Sequence, residues 1–141
     1  MRTANVGCPG ITIVVDMTEA ELNIHNMVGG LPTFEKLVDH FYDAVERDPL
    51  LRPMYPEDLT DSRRHLALFL SQFFGGPPEY SIMRGHPRLR ARHLPFVIGP
   101  KERNAWVRHM LAAVDLTGIQ EPSKSHLTRY FEEAATFMIN Q

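Results

Sequence analysis

The sequence predicts an all-α fold, and three observations carry that prediction. Apolar residues recur at three- and four-residue spacing in four long stretches, glycine and proline clusters fall between them, and no strand pairing is evident across them. With 141 residues and 43% hydrophobic content, the chain suits one compact domain with a real core.

Residues 1–18 differ in character from the rest. Gly7, Pro9 and Gly10 precede the β-branched run at 11–15, which reads as an amino-terminal extension. A short strand, an arm on a partner and a flexible tail all fit it, Met17 could serve as an alternative start codon, and the sequence does not choose among these. The domain proper is expected over 19–141. Residues 18–28 carry a short helical pattern that stops at Gly29-Gly30, a pair suited to a left-handed helix end.

After Pro32, the positions Phe34, Leu37, Val38, Phe41, Tyr42 and Val45 define one apolar face of a helix ending near Asp48-Pro49. A connector through Pro53, Met54, Tyr55 and Pro56 leads to a helix that Asp61 or Ser62 can cap. Its expected inner face is Leu66, Phe69, Leu70, Phe73 and Phe74, and Gly75-Gly76-Pro77-Pro78 stops it. Gly99-Pro100 opens a helix with Trp106, Val107, Met110, Leu111 and Val114 inward. Ser123 or Ser125 caps a last one that turns Leu127, Tyr130, Phe131, Ala134 and Met138 to the core.

Between the second glycine corner and Gly99 lies the basic segment 84–93, which begins at Arg84 and ends at His93, followed by Leu94-Pro95-Phe96. Pro87 can open a helix there and Pro95 biases Leu94 away from helical geometry, so only about two turns fit between them. Arg88 and Arg92 stand four apart, on one face, where both could meet one anionic group beside His93. His93 reads as a metal or cofactor ligand, or as a capping residue. The arginines read as an anion site or as a nucleic-acid contact. The net charge of −2 and the lack of a second basic segment weigh against nucleic acid. A neutral imidazole flanked by guanidinium groups is what an iron porphyrin with two propionates requires.

The lone Cys8 excludes an intramolecular disulfide framework, a cysteine-rich zinc site and an iron–sulfur cluster, and it suits a reducing, cytoplasmic setting. The run at 11–15 is too short for a signal-peptide core, and no later stretch could span a bilayer, which argues against secretion and membrane insertion.

From about Leu22 to Asn140 the chain resembles a truncated haemoglobin of group II, the two-on-two helical globin. The matching pieces, in order, are Val28-Gly29-Gly30, Thr33-Phe34 with His40-Phe41-Tyr42, the stretch 51–58, Gly75-Gly76-Pro77, the stretch 85–93 with Pro95-Phe96, and Glu102-Arg103 with Ala105-Trp106. The resemblance implies a two-on-two helical sandwich around haem b. His93 would be the iron ligand, its other ring N–H held by a carbonyl of its own short helix. Tyr42, Tyr55, Ser62, Leu66 and Trp106 would face the bound ligand, with the small Ser62 leaving an open access path. Arg92, with Tyr80 and either His65 or Arg88, would meet the propionates, and Phe69, Leu70, Leu89, Phe96 and Met110 would supply apolar contacts. One departure is Phe73-Phe74, where the family often has Tyr-Trp.

The function so implied is binding of oxygen and other small ligands (nitric oxide, carbon monoxide, sulfide), with strong hydrogen bonding from Tyr42, Tyr55 and Trp106 and slow oxygen release. Slow release argues against bulk oxygen transport. It suits redox or detoxifying chemistry resembling that of a nitric oxide dioxygenase or a weak peroxidase, served by an unidentified reductase. A sensor or storage globin without turnover is one alternative, and a non-haem helical interaction module using the basic segment is another. A homodimer through 130–139 or through the amino-terminal arm is open; no membrane or nucleic-acid partner is expected.

Overall fold

The computed structural model describes residues 23–141, so the amino-terminal extension, Cys8 and the first part of the 18–28 pattern lie outside the described residues. Among the described residues there are seven α-helices and no strand. They are α1 (Ile24–Val28), α2 (Leu31–Glu46), α3 (Thr60–Phe73), α4 (Glu79–Arg84), α5 (Leu89–His93), α6 (Pro100–Thr117) and α7 (Ser123–Phe137). A 3-10 turn, Arg52–Met54, lies between α2 and α3. Among the described residues, no helix is long and apolar enough to cross a membrane.

The all-α expectation holds, and its centre is α2. The residues its spacing marks as apolar, Phe34, Leu37, Val38, Phe41, Tyr42 and Val45, are the ones it buries. α2 packs against both α3 and α6, and α7 lies on α6, so two long helix pairs form the core. Phe34, Phe41, Leu70, Met110, Leu127 and Phe131 are fully buried where these helices meet. At roughly 1.5–3 kcal/mol for each such side chain, packing rather than local propensity makes these helices stable.

The two glycine corners turn the chain after α1 and after α3. Gly29 ends α1 in the left-handed region at φ +109°, and Gly75 follows α3 at φ +111°. Beside Gly75 the backbone N–H of His25 donates to the Phe74 carbonyl at 2.9 Å and the Asn23 amide donates to the Gly75 carbonyl at 3.0 Å. A Cβ on Gly75 would run into that Asn23 amide.

Four local expectations need correction. α3 starts at Thr60, whose N–H is held by Asp58 Oδ1 at 3.0 Å, so neither Asp61 nor Ser62 is its cap. α7 starts at Ser123 after Pro122. Neither Ser123 nor Ser125 is its cap; Glu121 accepts from the Ser125 N–H at 3.0 Å. α5 has only five residues, because Arg88 precedes it at φ +49°; Pro87 therefore stands outside the helix, and Arg88 does not share the face of Arg92. On α3, Phe73 is 52% exposed while Ala67, Leu68 and Ser71 are buried with Phe69 and Leu70. α3 is covered by α2 along one flank and borders a cavity along the next, so its buried stripe is wider and rotated relative to the simple apolar count.

Candidate functional site

A cavity of about 310 Å³ lies among α2, α3, α4, α5, α6 and α7 and the turn before α3. His93, the last residue of α5, borders it. Its Nδ1 is 2.6 Å from the carbonyl of Leu89. A carbonyl only accepts, so Nδ1 carries the hydrogen and Nε2 keeps its lone pair free for a ligand bond. The helix that carries this histidine thus also sets its tautomer.

Five aromatic residues with polar tips line the cavity, and three of them form one group: Tyr42 from α2, Tyr55 from the turn and Trp106 from α6. The rings of Tyr42 and Tyr55 meet edge to face at 5.5 Å, and Phe41 sits against both Tyr42 (5.0 Å) and Trp106 (5.3 Å). Burial pushes the Tyr42 phenol far above the ordinary tyrosine value, with Tyr55 adding to the shift and Arg63 and Ser62 opposing it. Burial likewise pushes Tyr55 up to about 12, partly offset by the Trp106 N–H. Both phenols therefore keep their protons and remain hydrogen-bond donors across ordinary pH.

Surrounding groups hold these donors. Arg52 donates to the carbonyls of Tyr55 (3.3 Å), Pro56 (2.9 Å) and Glu57 (2.7 Å), which ties down the corner that carries Tyr55. Asp48 accepts from the Leu50 N–H at 2.8 Å and from His109 Nε2 at 2.7 Å, linking the same corner to α6 one turn beyond Trp106. Arg63 reaches from α3 to Asp39 and Asp43 on α2, each at 3.1 Å, and its guanidinium lies 5.7 Å from the centre of the Tyr42 ring.

The polar rim is cationic. Arg84 Nη1 donates to His65 Nδ1 at 3.1 Å, and burial together with that guanidinium holds His65 below its ordinary pKa, as the neutral imidazole. Arg92 Nε donates to the Pro87 carbonyl at 2.6 Å, which leaves other guanidinium N–H groups free at the rim.

Of the residues singled out from sequence, His93, Arg92, Tyr80, His65, Phe69, Leu70, Leu89, Tyr42, Tyr55, Trp106, Ser62 and Leu66 border this cavity. Arg88, Phe96 and Met110 do not. Arg88 is carried off by its left-handed backbone, Phe96 lies past the end of α5 with 40% of its surface in solvent, and Met110 is wholly inside the helix core. Sequence reasoning gave no site role to Arg84, Met54 and Ile98 and read Tyr130 and Met138 only as core, yet all five also line the cavity. Arg84 opens the basic segment and Tyr130 has the same polar-tipped aromatic character as Tyr42, so those two carried a readable signal.

The residues present fit a haem. No cluster of three or more His, Cys, Asp or Glu side chains among the described residues could hold a bare metal ion. A lone histidine ligand therefore calls for a cofactor that brings the remaining ligands itself. The lining is mainly apolar with guanidinium groups at the rim, which suits a flat macrocycle bearing two carboxylates.

Fold and site together define the class: a helical haem protein in which two helix pairs enclose the cofactor. The chain belongs to the bacterial-like globins, whose family model matches residues 23–140. It is 43% identical over 112 residues to the group 2 truncated haemoglobin YjbI of Bacillus subtilis, covering 79% of this chain and 85% of that one. The structure is similar to the haemoglobin of Chloroflexus aurantiacus, with a TM-score of 0.83 at 52% identity over 84% of this chain and 98% of the other. It is also similar to the group II truncated haemoglobin of Bacillus anthracis, with a TM-score of 0.82 at 40% identity over 84% of this chain and 92% of the other. Haem b is the cofactor of this family, and its members bind oxygen and other small ligands.

Proposed function

We propose that the chain is a globin that holds oxygen tightly and uses it in redox chemistry on a second small molecule, with nitric oxide the best candidate. One observation carries this reading: a histidine with a free Nε2 and three ring donors, Tyr42, Tyr55 and Trp106, line one cavity. His93 would hold the haem iron, which would supply the ligand-binding and one-electron chemistry. Arg92 and Arg84, with Tyr80, would hold the propionates at the rim, while Phe69, Leu70 and Leu89 would contact the macrocycle.

The chain's own contribution is electrostatic. Tyr42 and Tyr55 can donate and accept, so one can orient the other, whereas the Trp106 N–H only donates. Tyr42 is buried and Tyr55 and Trp106 are partly buried, and a hydrogen bond to a ligand that gathers negative charge is stronger in such a site than in solution. Each good bond contributes about 1 kcal/mol, so two or three slow ligand release by roughly one to two powers of ten. That retention favours reaction in place over delivery. The small, half-buried Ser62 leaves room for a second diatomic molecule to enter.

His65 borders the cavity as a candidate acid–base group, but its Nδ1 is occupied by Arg84. Peroxide cleavage that needs a proton shuttle is therefore the weaker of the two redox readings. Turnover with nitric oxide also calls for a reductase, and the cytoplasm is the compartment that supplies one.

Rapid mixing of the reduced, oxygen-saturated protein with nitric oxide tests the proposal. Slow oxygen release in the wild type combined with a fast, complete reaction with nitric oxide supports it. Slow release without that reaction identifies a store or sensor, and a protein that takes up no haem overturns both.

A further inference from the structure

We propose that Asn140, braced by Arg90, is a positioning residue for His93, setting the imidazole from outside the cavity. The inference rests on the reading of His93 as the iron ligand. α5 buries none of its residues and spans only five positions, too few to be stable alone. Leu94, Phe96 and Val97, just beyond it, are all exposed. Of α5 only the partly buried Leu89 packs against the core, so core packing alone does little to fix where His93 stands.

Polar contacts from the stretch after α7 take that role. The Asn140 amide donates to the Phe96 carbonyl at 2.9 Å and to the His93 carbonyl at 3.4 Å. Its oxygen accepts from the Ile98 N–H at 3.0 Å, and its own backbone N–H donates to the Ile98 carbonyl at 2.8 Å. Only one orientation of the amide satisfies these partners, since carbonyls only accept and an N–H only donates. From the other side Arg90 reaches out of α5 to the carbonyls of Phe137 (3.1 Å) and Ile139 (3.3 Å). One side chain of the α5 segment thus holds residues 137–139, and Asn140 returns the grip to His93 itself. This gives Arg90, which does not border the cavity, a function distinct from that of Arg92.

Asn140→Asp is the discriminating variant. It is isosteric, keeps the acceptor for Ile98 and removes both donations to the α5 segment. In the haem-loaded, reduced full chain, the iron–histidine stretching band should shift and broaden. Haem loss to excess apomyoglobin should be at least about fivefold faster, the factor for the 2.9 Å bond alone, with the longer bond to His93 adding to it. Arg90→Ala should move both readouts the same way by less. A band unchanged in position and width in both variants, whatever happens to thermal stability, overturns the positioning role while leaving the ligand assignment standing. If His93→Ala leaves the spectrum of the loaded protein unaltered, the ligand assignment falls, and this proposal with it.

Discussion

At the scale of single residues, the cavity donors are the parts most open to test. Trp106→Leu and Tyr55→Phe each remove one donor, and each is expected to speed oxygen dissociation by about fivefold to tenfold in stopped-flow displacement. Their double variant should fall short of the product, because the two groups adjoin. Asp48 offers a pH test. The hydrogen bond from His109 holds its carboxyl below the ordinary carboxylate range, so its stabilising effect is full above the unfolded-state value near 4. That effect is lost as pH falls through the lower folded value. Denaturant unfolding between pH 2 and 6 should show a shallower acid limb in Asp48→Asn than in the wild type. Tyr42, Tyr55 and Trp106 reached the site through the resemblance, since a polar-tipped aromatic taken alone serves a plain core equally well. Arg88 misled because its positive φ depends on how the 84–93 segment is clasped, which no local pattern records.

At the scale of elements, helices with one long apolar face were the easiest to read. α2 buries every residue its spacing marked. Caps were harder, since Asp58 and Glu121 act from outside the helix they serve, and a sequence offers several polar residues near each start. The glycines separate two effects. Gly118 ends α6 at φ +82° with open space around it, so Gly118→Ala should cost only backbone strain, about 1–2 kcal/mol. Gly75→Ala meets the same strain and also the Asn23 amide, so thermal melting should place it lowest of the two. Asn23→Ala should recover part of the Gly75→Ala loss; equal melting points for the two glycine variants would contradict the collision.

At the scale of the whole molecule, the helix pairs and the cavity have different claims on stability. Phe34, Phe41, Met110, Leu127 and Phe131 hold α2, α6 and α7 together without any ligand, whereas α5 has no buried residue of its own. Haem binds the folded chain, so it raises stability in proportion to the logarithm of its concentration over its dissociation constant. Removing it should lower the melting temperature, and hydrogen exchange should rise first across 89–98 while α2 stays protected. Uniform loss of protection would show that the cofactor supports the core as a unit. The apolar helix faces were implied by periodicity and the two-on-two arrangement by the resemblance; that α5 depends on residues 137–140 was not, because the link joins positions more than forty apart through backbone carbonyls that have no sequence signature.

Trp106 is the chain's one tryptophan, and it stands in the cavity wall. Its near-ultraviolet emission therefore comes from a single site within reach of whatever fills that space. A bound porphyrin would quench it by energy transfer, and each departure would restore it. The protein thus carries its own optical gauge of occupancy, one that reads cofactor uptake and escape in the wild type and the Asn140 variant alike without a label.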